Sequence, residues 1–304
     1  MTSFGFIKNR ILVTGSNGML GQRAVEYFSD IKDIELLATS VEDVSLIPNV
    51  EYIKGDISNR NEIKKIVYDF CPDVIINTAA YTNVDKSEND RELAWKINVK
   101  GVEYIAEAAR IIDSHLIHIS TDYIFDGKNG PYNENDIPNP LGYYGRTKLA
   151  SENALKISGI RYTILRTNVL YGTAKYSRPD FVKWVVDSLK NNTEIKIVDD
   201  QINNPTFIDD LVQAIASVIE LRKEGIYNIG GIELLSRYDF TLMIAEYFKL
   251  NKSLIKKIKT SDLNQPARRP LKSGLITIKA QTELNYKPHS ISQSLELMKK
   301  ELDL

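Results

Sequence analysis

Short apolar, β-rich runs alternate with amphipathic helical stretches along the first half of the chain. Ile11-Leu12-Val13-Thr14 is the first such run. It stops at Gly15, and a helical pattern follows from Met19 to about Ser29. Further runs over Glu35–Thr39, Val50–Lys54, Val74–Asn77, Leu116–Ser120 and Tyr162–Arg166 predict strands, and Arg60–Phe70, Arg91–Ile112 and Tyr144–Ile157 predict helices between them. That alternation calls for a parallel sheet covered on both faces by helices, an α/β doubly wound architecture. Right-handed crossovers then bring every strand's carboxyl end to one edge of the sheet, so chemistry is expected just after the strands.

Beyond Arg166 the alternation weakens. A helix over Asp180–Lys190, a strand near Ile195–Val198 and a helix over Ile208–Leu221 precede a C-terminal group after Gly231. From Asp122 to Gly142 the chain is rich in Gly, Pro, Asn and Asp and reads as a long loop, a length that is often functional in a compact domain.

Thr14-Gly15-Ser16-Asn17-Gly18-Met19-Leu20-Gly21 lies at the first strand-to-helix junction, with its glycines three apart. Such a turn lets backbone amides approach a diphosphate at a helix N-terminus, where the dipole favours negative charge. Tyr144 and Lys148 form the second signal. Positions i and i+4 share a helix face, so an ammonium on Lys148 is expected beside the Tyr144 phenol, favouring its ionised form. Tyr143 is the rival acid, but it stands five residues from Lys148, and helix geometry selects Tyr144. Together the two signals point to hydride chemistry on a dinucleotide. The expected organisation is a dinucleotide-binding Rossmann domain over residues 1–170, with 207–229 returning to it. Residues 171–304 then form, in the main, a smaller substrate-binding lobe.

Charge and composition exclude more than they add. The 304 residues carry 39 basic and 40 acidic side chains, a net charge of −1, so no overall field draws the chain to nucleic acid or an anionic membrane. The lysines at 256, 257 and 259 read as a solvated face. No apolar run approaches the roughly 18 residues of a membrane span, and Met1 to Arg10 lacks a signal-peptide core. The single cysteine, Cys71, between Phe70 and Pro72, reads as a buried residue of a reducing compartment. His115, His118 and His289 show no metal-ligand spacing, so no metal site is expected. The chain reads as cytoplasmic.

The glycine spacing, with Tyr144 and Lys148, resembles the short-chain dehydrogenase/reductase superfamily, in its extended branch acting on nucleotide sugars. Within that branch four segments look like those of the dTDP-4-dehydrorhamnose reductases: Ser120-Thr121-Asp122-Tyr123-Ile124-Phe125-Asp126-Gly127, Asn77 to Asp85, Asn204-Pro205-Thr206-Phe207 and Arg269-Pro270-Leu271-Lys272-Ser273. The resemblance implies reduction, by NADPH or NADH, of the 4-keto group of a nucleotide-linked 6-deoxy sugar, with dTDP-4-dehydrorhamnose as substrate and dTDP-L-rhamnose as product. Thr121 hydrogen-bonds the sugar carbonyl, Tyr144 donates the proton, and Lys148 holds the nicotinamide ribose. A hydroxyl donor and an acid at that oxygen suit the negative charge that hydride addition develops there.

The same resemblance places Gly15, Asn17, Gly18, Met19, Leu20 and Gly21 at the cofactor's diphosphate, and Ser40, Asp56 and Ile57 at its adenosine. Ala79, Ala80, Tyr81 and Thr82 border its diphosphate and ribose side, and Asn98 belongs to the hydrogen-bond framework. The strand end Ala38-Thr39-Ser40 lacks the acid that NAD-binding folds usually present to the ribose diol, which favours NADPH. Asp122, Val169 and Arg269 are the remaining substrate-side residues, Arg269 as a fork onto the substrate's diphosphate. Some relatives use magnesium, but no carboxylate cluster here calls for one. Helical faces in Arg91–Ile112 and Tyr144–Ile157 are those that pair subunits in this superfamily, implying a homodimer.

Two departures keep other readings in view. Val169 stands where the rhamnose reductases usually carry a tryptophan against the sugar. The segment Arg166 to Tyr171 and the fold are also shared with the regulatory β subunit of methionine adenosyltransferase, so a cofactor-binding regulatory subunit is the second class of function. A nucleotide-sugar epimerase uses the same Tyr and Lys, whereas a 4,6-dehydratase loses its acidic pair because residue 123 is Tyr.

Overall fold

The computed structural model describes residues 9–175 and 180–302, so Met1–Lys8 of the N-terminal segment considered above lie outside it. Seven parallel strands form the central sheet. They are β1 (Asn9–Thr14), β2 (Ile34–Ser40), β3 (Glu51–Lys54), β4 (Val74–Asn77), β5 (His115–Thr121), β6 (Tyr162–Thr167) and β7 (Gly225–Ile229), in the order β7-β6-β5-β4-β1-β2-β3. The order reverses between β1 and β4, which opens a crevice at the carboxyl ends of those two strands.

Alternate residues of each strand serve opposite faces. Ile11, Val13, Leu36, Ala38 and Ile76 belong to one buried cluster together with α1 (Met19–Ser29) and residues such as Ile208 and Leu211 further on. Leu12, Leu37, Ile75 and Leu116 belong to the other, against α2 (Arg60–Phe70), α4 (Gly101–Ile112) and α5 (Tyr143–Ile157). Strands buried on both faces explain their near-continuous apolar runs.

The stretch expected as one helix over Arg91–Ile112 is interrupted. Between α3 (Arg91–Trp95) and α4 the residues Lys96–Lys100 form a π-helical turn, a feature that often marks functional sites. The loop after β5 is also better built than its composition implies. Asp122–Ile124 makes a 3-10 turn, and Phe125 stacks on Tyr132 with ring centroids 4.2 Å apart, in a small buried cluster with Ile124 and Leu275.

Cys71 corrects its expected burial: it is exposed. It closes α2 in the left-handed conformation, with φ 47°, and this turns its side chain outward, where Sγ meets the Tyr68 carbonyl at 2.9 Å.

The C-terminal half contributes α6 (Phe181–Lys190), α7 (Ile208–Glu220) and α8 (Arg237–Tyr247). It adds two-stranded ladders outside the main sheet, among them Ile195–Val198 beside Ile255–Ile258 and Ile202–Asn203 beside Leu235–Ser236. Among the described residues no helix is long and apolar enough to cross a membrane.

Candidate active site

A cavity of about 650 Å³ lies over the carboxyl ends of the strands, the size range of small-molecule and cofactor sites. At one end it is lined by Gly15, Gly18, Met19, Leu20 and Gly21. No side chain caps the N-terminus of α1, so its first-turn amides face the cavity unopposed. A Cβ added to Gly21 would fall 2.2 Å from the Gly15 carbonyl oxygen, so only glycine lets the helix pack this closely on the turn. This end suits a dinucleotide's diphosphate. Ser40, Asp56, Ile57, Ala79, Ala80 and Thr82 continue the wall, and Thr121, Asp122, Tyr144, Lys148 and Val169 complete it on the far side.

Three expected cofactor residues stand back from the wall. Asn17 is occupied in holding the segment after β2: its amide donates to the Glu42 carboxylate and the Val44 carbonyl, and its oxygen accepts from the Leu46 amide. Tyr81 directs its hydroxyl to Asp90 at 2.7 Å. Asn98, on the π-helical turn, is buried; it accepts from the Tyr81 amide at 2.7 Å and donates to the Tyr81 carbonyl and to Thr147 on α5. It ties the segment after β4 to the helix carrying Tyr144.

Several local features place that helix. The Glu88 carboxylate accepts from the first amide of α5 at 2.7 Å, and a Cβ at Gly145 would meet the Tyr123 carbonyl oxygen at 2.1 Å. The close approach brings the Tyr144 ring edge-to-face against Tyr123, centroids 5.8 Å apart, with the Thr121 hydroxyl in reach of its phenol. Tyr143 turns the other way, under the Arg91 guanidinium at 5.2 Å.

The electrostatics differ from the expected ammonium–phenolate pair. Burial, and then the neighbouring Asp122 carboxylate, push the Tyr144 phenol above its ordinary value, with the Thr121 hydroxyl opposing. The phenol is therefore held protonated, the form an acid needs. Lys148, 2 % exposed, is instead directed to the Ile119 carbonyl at 2.6 Å and to Nε2 of His118 at 3.1 Å, and burial lowers it to about 8. Burial also raises Asp122 to about 6, against the pull of hydrogen bonds from Ser273 and Thr121. Behind the site the buried Ser120, Glu152 and Arg166 interlock: Ser120 donates to Glu152 at 2.6 Å, and Arg166 forks onto the same carboxylate at 3.0 and 2.8 Å.

Two expectations need correction. Arg269 is not available as expected, because it forks onto Asp85 with both nitrogens at 2.7 Å. The end of β2 is not free of acid either: Glu42, two residues past Ser40, lines the cavity. Residues the sequence did not single out also line it, among them Gln201, Asn203 and Arg237, and so does Ser273 of the family-like segment. His115 and His118 are buried within β5 on polar partners. Among the described residues no three His, Cys, Asp or Glu side chains converge as a metal site.

Residues 9–304 match the family described as RmlD substrate binding domain. The chain belongs to that family. A dTDP-4-dehydrorhamnose reductase of Aggregatibacter actinomycetemcomitans is 35% identical, covering 94% of this chain and 97% of its own length. The crystal structure of a dTDP-4-dehydrorhamnose reductase from Bacillus anthracis in complex with NADP has a TM-score of 0.83 at 29% identity, over 97% of this chain and 99% of that one. Methionine adenosyltransferase 2 subunit beta of Bos taurus is 32% identical, over 88% of this chain and 80% of its length. The relatives therefore include both an enzyme and a subunit named for its partner, and the site has to distinguish them.

Proposed function

We propose that the protein reduces the 4-keto group of a nucleotide-linked 6-deoxy sugar with NAD(P)H, dTDP-4-dehydrorhamnose to dTDP-L-rhamnose being the best-supported case. The observation that carries this reading is the meeting of Thr121, Tyr144 and Lys148 in one cavity with the uncapped, glycine-lined N-terminus of α1. The name and NADP complex of the Bacillus anthracis relative support it.

When bound, the nicotinamide supplies a hydride to the sugar carbon. Thr121 orients the carbonyl oxygen, and Tyr144, kept protonated by burial and Asp122, donates its proton there as charge develops. Lys148 closes the nicotinamide-ribose side of the same helix face. Gly15 to Gly21 take the cofactor's diphosphate, and Ser40, Asp56 and Ile57 border its adenosine. Residues 1–170, with 207–229, form the cofactor-binding part, and 171–304 mainly the substrate-binding part. We read the protein as a cytoplasmic homodimer that acts without nucleic acid, membrane or metal.

The regulatory-subunit reading rests on the β-subunit likeness and on Val169 in place of a sugar-stacking aromatic. It gives no account of an acid, a hydroxyl and a lysine brought to one point. Turnover with NADPH carrying two deuterons at nicotinamide C4 tests the choice: the reductase reading places deuterium at sugar C4. A product without deuterium, or no product from any 4-keto nucleotide sugar, rejects it.

A further inference from the structure

Among the described residues the cavity wall carries two cationic side chains, Lys148 and Arg237. Lys148 serves the catalytic end. Arg237 opens α8, where its amide donates to the Gln201 carbonyl, and its guanidinium lies over the Phe181 ring with 4.6 Å between its central carbon and the ring centroid. Phe181 stacks in turn on the buried Phe240, so the aromatic pair forms a firm platform under one face of the guanidinium. Nη1 is shut off from solvent and has no hydrogen-bond partner among the described residues. A buried guanidinium nitrogen without an acceptor is costly unless a ligand supplies one.

We propose that Arg237 binds the diphosphate of the nucleotide-sugar substrate. The inference rests on the nucleotide-sugar reading above and names the group that recognises that substrate's charge. Three observations locate the anion there. Gln201, Asn203, Pro270 and Ser273, which line the same part of the cavity, all come from the C-terminal half, away from the glycine loop that suits the cofactor's own diphosphate. Arg269, a second guanidinium among the described residues, is already neutralised by Asp85. Asp122, a carboxylate of the same wall, feels the Arg237 charge, but its hydrogen bonds come from Ser273 and Thr121, and none from the Arg237 fork. A planar fork on a fixed platform matches phosphate oxygens in a way a lysine would not.

Calorimetric titration of the cofactor-loaded full chain with dTDP and with thymidine separates phosphate recognition from base recognition. Arg237→Gln should weaken dTDP binding by about 30-fold or more, the range for removing one partner of a buried charge pair, while leaving thymidine and NADPH affinities within about twofold. Arg237→Lys, which keeps the charge without the fork, should fall between. If Arg237→Gln fails to fold, the lysine variant decides alone: dTDP affinity equal to wild type overturns the proposal. So does an Arg237→Gln protein that binds dTDP like wild type, or one that loses thymidine and NADPH equally. A wild-type chain that binds neither dTDP nor UDP overturns the nucleotide-sugar reading itself, and Arg237's role with it.

Discussion

Nζ of Lys148 stands 3.1 Å from Nε2 of His118, and the hydrogen-bond network behind the ring says which of the two carries the proton. Asn77 accepts through its oxygen from Thr14 and from the Ala79 amide, so its nitrogen donates to Nδ1 of His118. Nδ1 being an acceptor, Nε2 bears the hydrogen of the neutral ring. Ser151 spends its own hydroxyl proton on the Lys148 carbonyl, so its oxygen is free to receive Nε2–H. A charged ammonium sets donor against donor there, which adds to the burial that disfavours the cation and lowers Lys148 to about 8. Burial, and then the Lys148 charge, hold His118 neutral.

A pH dependence follows. Lys148 is cationic below about 8 and neutral above it. If its charge assists ribose binding and proton donation, kcat/KM holds level below that pH and falls with unit slope above it. Lys148→Met should give a low profile without that limb. The measurement is kcat/KM from pH 6 to 10 for both proteins.

Gly21→Ala places a methyl against the Gly15 carbonyl oxygen and forces α1 away from the turn. The dissociation constant for NADPH, followed by nicotinamide fluorescence, should rise at least about tenfold, or 1.4 kcal/mol. Unchanged affinity would remove the glycine turn from the cofactor site.

Glu42 is expected to shift the balance between the two nicotinamide cofactors. A carboxylate at this end of the cavity repels a 2′-phosphate but accepts from a ribose diol. Glu42→Gln should raise the preference for NADPH over NADH by about tenfold, as expected when one like charge at an exposed site is removed. Equal kcat/KM ratios in wild type and variant would place the carboxylate outside the cofactor's reach.

The parts that sequence made readable are those written locally. The β1 run, Gly15 to Gly21 and the i, i+4 pair Tyr144 and Lys148 each occupy one short window, and their spacing fixes their geometry. What it did not show depends on contacts between distant positions. Arg269 looks like a phosphate ligand until Asp85, 184 residues away, is found on it. Arg237 belongs to no motif and gains its meaning from Phe181 and from the cavity that several separate loops enclose. Cys71 between Phe70 and Pro72 reads as apolar, but its place at a left-handed helix end turns it outward. The Lys148 environment misled for a related reason: its acceptor, the Ile119 carbonyl, comes from β5, not from its own helix.

The central claim is that Tyr144 gives its proton to a sugar carbonyl that has received hydride. It is tested most directly by following NADPH and NADH oxidation with dTDP-4-dehydro-6-deoxy-L-mannose, for wild type and Tyr144→Phe. The account predicts turnover by the wild type and a loss of about 10²- to 10⁴-fold in kcat for the variant, with cofactor affinity retained. Equal rates in the two proteins, or a wild type that binds cofactor and never oxidises it with any 4-keto nucleotide sugar, would contradict it.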